Sequence, residues 1–409
     1  MRTRPAAVFF AGLIGLAAAA PPPAPPQAPV RARNLGVPFE GQPGRWNAIT
    51  DVPGVQVGQV TLISGEAGKP GPVVRTGVTV VLPRGQGSDA PVYGGLFDLN
   101  GNGELTGQAY LQDFGLVHGP IGVTNTNAIG QVYAGIQQWT RTRFGAATWP
   151  AVGETWDGYL NDIEGFHVTP GDATRALDAA AAGPVAEGNV GGGTGMVCFD
   201  FKGGIGTASR VVSVGARHYT VGVLVQCNTG AREVLRVAGA PVGHAMANSW
   251  LPCYAGGTGR DHAPHCTLDG SFGLAHPDQG SIIIVVGTDA PLQPLQLNRV
   301  ARRAGMGLAR LGSYSGNLSG DLVVSFSTQA AVNDTEKGGA PTGTALANVD
   351  LDPVFEATVQ ATEEAVVNAL VAAQTMTGLN YYRVYALPHG GLQAILKKYG
   401  RLGPDTSKP

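Results

Sequence analysis

Apolar residues recur along this chain with two periods. Val55 to Ile63 and Thr76 to Leu82 are rich in Val and Thr and broken by glycine, which predicts strands. Thr220 to Gln226 alternates in TVGVLVQ, whereas Ile282 to Val286 is an unbroken IIIVV run, the pattern of a strand covered on both faces. Asp321 to Phe326, DLVVSF, predicts another strand. Helical spacing lies between them. Gly171 to Ala182 is alanine-rich and stops before Pro184. Leu295 to Leu311 sets Leu297, Val300, Ala301, Ala304 and Leu308 on one face. Arg299, Arg302, Arg303 and Arg310 fall mostly outside that face and read as solvated. Asp352-Pro353 opens a helix that carries Phe355, Val359, Val366, Leu370 and Val371 and ends near Gly378. Strands and helices mix without strict alternation, so α+β layering is expected rather than a doubly wound parallel sheet.

The amino-terminal pattern differs. Arg2 and Arg4 precede the apolar run Ala6 to Ala20, which is shorter than the roughly 20 residues of a spanning helix. A charged start, a short apolar core and a small-residue exit describe a secretory signal, with an uncleaved anchor as the alternative. Residues 1–20 are read as that signal, 21–33 as a proline-rich tether, and 34–409 as one catalytic domain. The mature protein is then periplasmic or secreted, with no membrane partner after cleavage.

Composition narrows the class. Charged residues make up 14% of the chain, against about 25% in an average soluble protein. The formal charge of -2 provides no basic field for a phosphate backbone, so nucleic acid is not an expected partner. With 62 glycines among 409 residues and 43% hydrophobic residues, a sheet-rich enzyme with many tight turns is expected.

Export governs the reading of the cysteines. Cys198 and Cys227 sit in apolar stretches and are expected to pack as small hydrophobes. Cys253 and Cys266 flank the segment YAGGTGRDHAPH, and an oxidising compartment favours a disulfide between them. Closing so short a loop stabilises by about 3 kcal/mol in the chain-entropy model. The alternative, a metal site from Cys253, His262, His265 and Cys266, matches no standard zinc spacing. No metal or cofactor is therefore expected.

The common catalytic motifs are missing: there is no GxSxG, HExxH or GxxxxGK[ST]. GNGELTG (Gly101 to Gly107) and GGGTG (Gly191 to Gly195) lack dinucleotide-loop spacing and read as tight turns. His118, His167, His218, His244, His276 and His389 are scattered and read as structural. A general base can instead be made by cutting the chain. A Ser at a new amino terminus carries an α-amine with a pKa of about 7.7–8.0, close to the pH where general-base work is most effective. Such a serine needs a small residue before it and a rigid strand after it. Gly280-Ser281-Ile-Ile-Ile-Val-Val meets both requirements, although a Gly-Ser turn entering a strand is the commoner meaning.

A series of segments gives that site its context. In order they are ITDVPGVQVGQVT (Ile49 to Thr61), GNGELTG, PIGVTNTNAIG (Pro120 to Gly130) and GETWDGYLND (Gly153 to Asp162). EGNVGGGTGMVC (Glu187 to Cys198), FKGGIGTASR (Phe201 to Arg210) and VLVQCN (Val223 to Asn228) follow. GSIIIVVGTDAPL (Gly280 to Leu292) and SGNLSGD (Ser315 to Asp321) close the series. Together, from about Asn34 to Pro388, they resemble the DmpA-type aminopeptidase family, which includes the β-peptidyl aminopeptidases.

The resemblance implies a four-layer αββα fold and a precursor that cuts itself between Gly280 and Ser281, leaving 34–280 and 281–409. It also implies assembly as tetramers of these heterodimers. Ser281 matches the nucleophile. Ser319 matches a second serine expected to bond the amine or hydroxyl of Ser281, and Asp321 takes the family's acidic position. Asn228 matches the oxyanion donor, and Glu154 the carboxylate that holds the substrate's ammonium. Substrates would be short peptides, amino-acid amides or esters with a free amino terminus. Trp156 stands where many relatives have Tyr or another side chain, so a different pocket near the substrate amine is expected. The Cys253–Cys266 loop looks longer than in several relatives and is expected to narrow the site's mouth. The alternatives are an acyltransferase like the ornithine acetyltransferases, whose nucleophile is usually a Thr after Ala, and a non-catalytic secreted binding protein.

Overall fold

The computed structural model describes residues 30–256, 265–266, 280–329 and 344–403. The signal segment, most of the proline tether, His262 and His276 lie outside the described residues.

In chain order the strands are β1 (Gln56–Ser64), β2 (Val74–Leu82), β3 (Val92–Gly101), β4 (Leu116–Val117), β5 (Ile121–Asn125) and β6 (Ala151–Thr155). A short hairpin of β7 (Val197–Cys198) and β8 (Phe201–Lys202) leads into β9 (Gly204–Val214) and β10 (Arg217–Asn228). Then come β11 (Cys253–Tyr254), β12 (Ser281–Thr288), β13 (Gly320–Ser327), β14 (Met376–Thr377) and β15 (Tyr382–Val384). The helices are α1 (Gln108–Phe114), α2 (Ile129–Phe144), α3 (Pro170–Asp178), α4 (Val242–Ala245), α5 (Pro294–Arg310), α6 (Asp352–Ala372) and α7 (His389–Lys398).

Two sheets form the centre. The first has the order β1-β2-β5-β6, and the second β4-β3-β13-β12-β10-β9. Alternation along each strand assigns its side chains to layers. Ile283 and Val285 of β12 meet Val81, Ile121 and Val123 of the first sheet in the central core. Ile282, Ile284 and Val286 point the other way, onto Leu297, Val300, Ala304 and Leu308 of α5 and onto α6. On the far side of the first sheet, Val78, Val80 and Leu82 pack against Val132, Ile136 and Trp139 of α2 and Ala173 and Leu177 of α3. The result is helix, sheet, sheet, helix, the expected αββα order. Each sheet contains one parallel pair bridged by a helix on its outer face, β5–α2–β6 and β12–α5–β13.

Two helices end before their apolar spacing does. α3 stops at Asp178 because Ala181 pairs with Val57 of β1, and α6 stops at Ala372 because Met376 and Thr377 pair with β15. The arginines of α5 are exposed or half-buried, as a solvated face requires, and they also make surface contacts. Arg303 lies 3.9 Å over the ring of Phe355, and Arg310 pairs with Glu40 and Glu363.

The folded part starts before residue 34. Ala32–Leu35 forms a short 3-10 helix, and the Arg31 guanidinium reaches Glu187 at 2.8 Å. Arg33 makes two 2.7 Å bonds to Glu364, which also accepts from Arg210 at 2.7 Å and Asn47 at 2.6 Å. Residues 31–33 therefore dock on α6 and β9, because a fully buried glutamate there needs their charge. Burial alone would raise the Glu364 pKa, but the Arg33 hydrogen bond and the charges of Arg210 and Arg33 outweigh it and hold it below the ordinary value.

Removing one member of a buried ion cluster leaves the others uncompensated. Glu364→Gln is expected to lower stability by about 3–5 kcal/mol in urea denaturation. A change under about 1 kcal/mol would mean that water replaces the carboxylate.

Candidate active site

Strand register assembles the site. β12 runs parallel to β13, with Ser281 opposite Gly320, and antiparallel to β10, with Ser281 opposite Asn228. The first residue of β12 thus lies between the last residue of β10 and the first of β13. β3 ends at the same edge, with Gly101 opposite Gly320.

One backbone donor serves two groups here. The Gly320 N–H lies 3.2 Å from the Gly280 carbonyl oxygen and 3.2 Å from Ser281 Oγ. The hydroxyl is therefore held beside the carbonyl of its own preceding peptide bond. Neither glycine has room for a side chain. A Cβ on Gly280 would fall 1.8 Å from the Asn228 carbonyl oxygen, and one on Gly320 would fall 2.4 Å from that of Asn102.

Ser319 and Asp321 flank Gly320 on the same face. Ser319 Oγ donates to Asp321 Oδ1 at 2.7 Å and lies 3.1 Å from Thr229 Oγ1. Ser319 is thus bonded to Thr229 and Asp321 rather than to Ser281, whose nitrogen in the continuous chain is an amide without a lone pair to accept a bond. The register against β3 shifts between Asp321 and Leu322, a bulge that re-aims the side chains on either side.

Asn228 is fixed from two directions. The Val197 N–H can only donate, so the atom it meets at 2.7 Å is Oδ1. Nδ2 then donates to the Trp156 carbonyl at 3.0 Å, and one N–H is left for another acceptor.

Glu154 comes from β6 of the first sheet and is 4% exposed. Its Oε1 accepts from the Glu104 N–H at 3.1 Å, and its Oε2 accepts from the Thr126 hydroxyl. Burial raises its pKa, only partly offset by those hydrogen bonds. The segment Gly101 to Gly107 crosses from β3 to β6, where Leu105 pairs with Gly153. A Cβ on Gly103 would lie 3.2 Å from Glu154 Oε1 and 3.3 Å from Gly320 Cα, so the carboxylate and the Ser281 donor share one neighbour.

Trp156 is 43% exposed and sets its ring edge-on to Tyr159 at 4.9 Å. Both line a cavity of about 930 Å³, with Tyr254, Tyr381, Tyr382 and Lys69. Cys253 and Cys266 are bonded, with Cα atoms 5.1 Å apart, and Tyr254 beside them reaches the cavity wall. That bond removes two ligands from the alternative metal site, and no cluster suited to a metal occurs among the described residues.

Cys198 and Cys227 correct the sequence reading: both are buried, but they form a disulfide with Cα atoms 5.6 Å apart. The β7–β8 hairpin folds Cys198 onto β10 through Phe199 and Asp200, both in the left-handed region. Two further groups escaped attention. Lys202 is fully buried, and burial lowers its pKa to about 7 against the opposing charge of Asp157. Burial raises Asp157 itself to about 7. The histidines do other work: His167 pairs with Asp162, His218 with Ser213, and His389 with the Val371 carbonyl.

The sequence matches the description Peptidase family S58 over residues 47–384. The β-peptidyl aminopeptidase BapA of Sphingosinicella microcystinivorans is 52% identical over 378 residues, covering 91% of this chain and 93% of the relative. The L-aminopeptidase D-Ala-esterase/amidase of Ochrobactrum anthropi, described as a prototype serine aminopeptidase and a variant of the Ntn hydrolase fold, superposes with a TM-score of 0.80. It is 44% identical, over 91% of this chain and 99% of that one. The β-aminopeptidase of a Burkholderia species has a TM-score of 0.77 and 43% identity, over 91% and 99% of the two chains.

Gly320→Ala is expected to lower stability by about 1–3 kcal/mol, since the new methyl must displace the Asn102–Gly103 backbone. Chemical denaturation measures this, and an unchanged midpoint would mean that the segment yields without cost.

Proposed function

This chain belongs to peptidase family S58 and is a serine aminopeptidase of the N-terminal nucleophile type, and on that premise we propose that it matures by cutting its own Gly280–Ser281 bond and then removes N-terminal β-aminoacyl residues from short peptides and amides. The observation that carries the self-cleavage is the single Gly320 N–H shared by the Gly280 carbonyl and Ser281 Oγ.

In maturation, Oγ attacks the Gly280 carbonyl carbon, the Gly320 N–H stabilises the developing oxyanion, and the C–N bond breaks as the Ser281 nitrogen takes a proton. Water then hydrolyses the resulting ester and frees the Ser281 hydroxyl and α-amine. That amine, with a pKa of about 7.7–8.0, is the general base of the mature enzyme. It accepts the Oγ proton as Oγ attacks the substrate carbonyl, and returns a proton to the leaving amine. The remaining Asn228 N–H and the Gly320 N–H serve the substrate oxyanion. Losing such a donor typically costs about 2.7–4 kcal/mol of transition-state stabilisation. Ser319, held by Asp321, is one residue from that donor and steadies the amine. Water resolves the acyl-enzyme.

Glu154 receives the substrate's ammonium. The resemblance to β-peptidyl aminopeptidases supports the β-aminoacyl preference, and a panel of L-α-, D-α- and β-aminoacyl amides tests it. Export to the periplasm completes the proposal. It is supported by the apolar run Ala6 to Ala20 and by disulfides that suit an oxidising compartment.

Intact-mass measurement of wild type is expected to give two chains, one beginning at Ser281, and of Ser281→Ala a single chain. An uncut wild type would end this mechanism. Glu154 must be ionised to hold a cation, and its pKa is raised. Binding of a non-reactive amino alcohol should therefore weaken as pH falls through a value above the ordinary carboxylate range. Glu154→Gln should weaken binding at least about tenfold and flatten that dependence. An unaltered inhibition constant would place the ammonium elsewhere.

A further inference from the structure

Lys202 is a buried cation that the proposed reaction does not use. Its side chain is fully buried, and Nζ donates to the carbonyls of Met196 at 2.7 Å, Gly203 at 2.8 Å and Gly193 at 3.3 Å. These three bonds use its three donors. Among the described residues no carboxylate lies within 4 Å of it. Keeping a cation there is costly, and three neutral carbonyls together with the charge of Asp157, more than 4 Å away, offset that only in part. A neutral side chain with an amide donor would avoid most of that cost, which makes the other end of these hydrogen bonds the place to look for a role.

The Met196 carbonyl belongs to the same peptide group as the Val197 N–H, which holds Asn228 Oδ1 at 2.7 Å. An unbroken series therefore runs from the ammonium through the 196–197 peptide to the Asn228 amide, and on to its remaining N–H. Each group in such a series polarises the next, so the terminal N–H becomes a stronger donor. The adjacent residues hold the series in place: Cys198 follows Val197, Cys227 precedes Asn228, and the two are bonded.

We propose that Lys202 is a positioning residue that orients and polarises Asn228 as the oxyanion donor. The inference rests on the role given to Asn228 above. Lys202→Met, Asn228→Ala and the double variant separate the two, each assayed on one aminoacyl amide after maturation is checked by intact mass. Asn228→Ala should lower kcat by about 10²–10³-fold. Lys202→Met should lower kcat at least about tenfold with KM within about threefold, and the double variant should be no worse than Asn228→Ala. An aminoaldehyde that forms a hemiacetal on Ser281 should lose affinity for Lys202→Met, while the matching amino alcohol should not.

Wild-type kcat in Asn228→Ala would overturn the role of Asn228, and this inference with it. An impaired Asn228→Ala beside an unimpaired Lys202→Met would overturn this inference alone. So would independent, multiplying losses in the double variant, or a loss confined to KM. If Lys202→Met fails to melt cooperatively, Lys202→Gln takes its place. Failure of both to fold would make Lys202 a stabilising residue and overturn the proposal.

Discussion

β12 is hydrogen-bonded along both edges and buried on both faces, so it cannot slip by one residue without exchanging its two sets of side chains. Ile283 and Val285 would then be driven into the helical layer, and Ile282 and Ile284 into the space between the sheets. That constraint fixes where Ser281 stands. Because β13 is parallel and β10 antiparallel, the strand that positions the hydroxyl also sets Gly320 and Asn228 on either side of it. The juxtaposition of Ser281, Gly320 and Asn228 is thus a consequence of register.

The same rigidity limits the backbone. Gly280 and Gly320 lie so close to neighbouring carbonyls that a methyl group would collide. This close approach is what brings the Gly320 N–H within reach of two oxygens. In the proposed reaction that N–H acts twice, first on the Gly280 carbonyl and then on the substrate. A chain that matures has therefore already tested one of its own catalytic contacts.

How much of this was legible depended on what kind of signal each feature leaves. The strand at Ile282–Val286 and the face of α5 were readable because burial on two sides or one leaves a period in the sequence. Helix ends were not, since α3 stops where Ala181 finds a partner in Val57, far away in the chain, and α6 stops before Met376 pairs with Val384 of β15. Ser281 stands out locally as a Gly-Ser step into an apolar strand, whereas Asn228, Ser319, Asp321 and Glu154 are singled out only as members of an ordered series. The Gly320 N–H is a backbone group and leaves no residue type to read. The Cys198–Cys227 bond depends on a hairpin with two left-handed non-glycine residues, which spacing does not reveal. Lys202 sits in FKGGIG like any surface lysine, and only the packed hairpin shows it to be buried.

Glu154 and Ser281 belong to different sheets, and this matters for how substrate length is read. In the proposed reading the ammonium is held from β6 and the scissile carbonyl meets β12. The number of carbons between those two substrate groups is then compared with the gap between layers. Gly153, beside Glu154, would bring a Cβ within 2.9 Å of Ile283 Cδ1, so β6 rests directly on β12 at this point. Flexible loops could adjust to substrates of either length, but two sheets packed through glycine and isoleucine cannot move apart without opening the central core. In the proposed reading the spacing between β6 and β12 therefore sets the gap that the substrate's ammonium and carbonyl have to span.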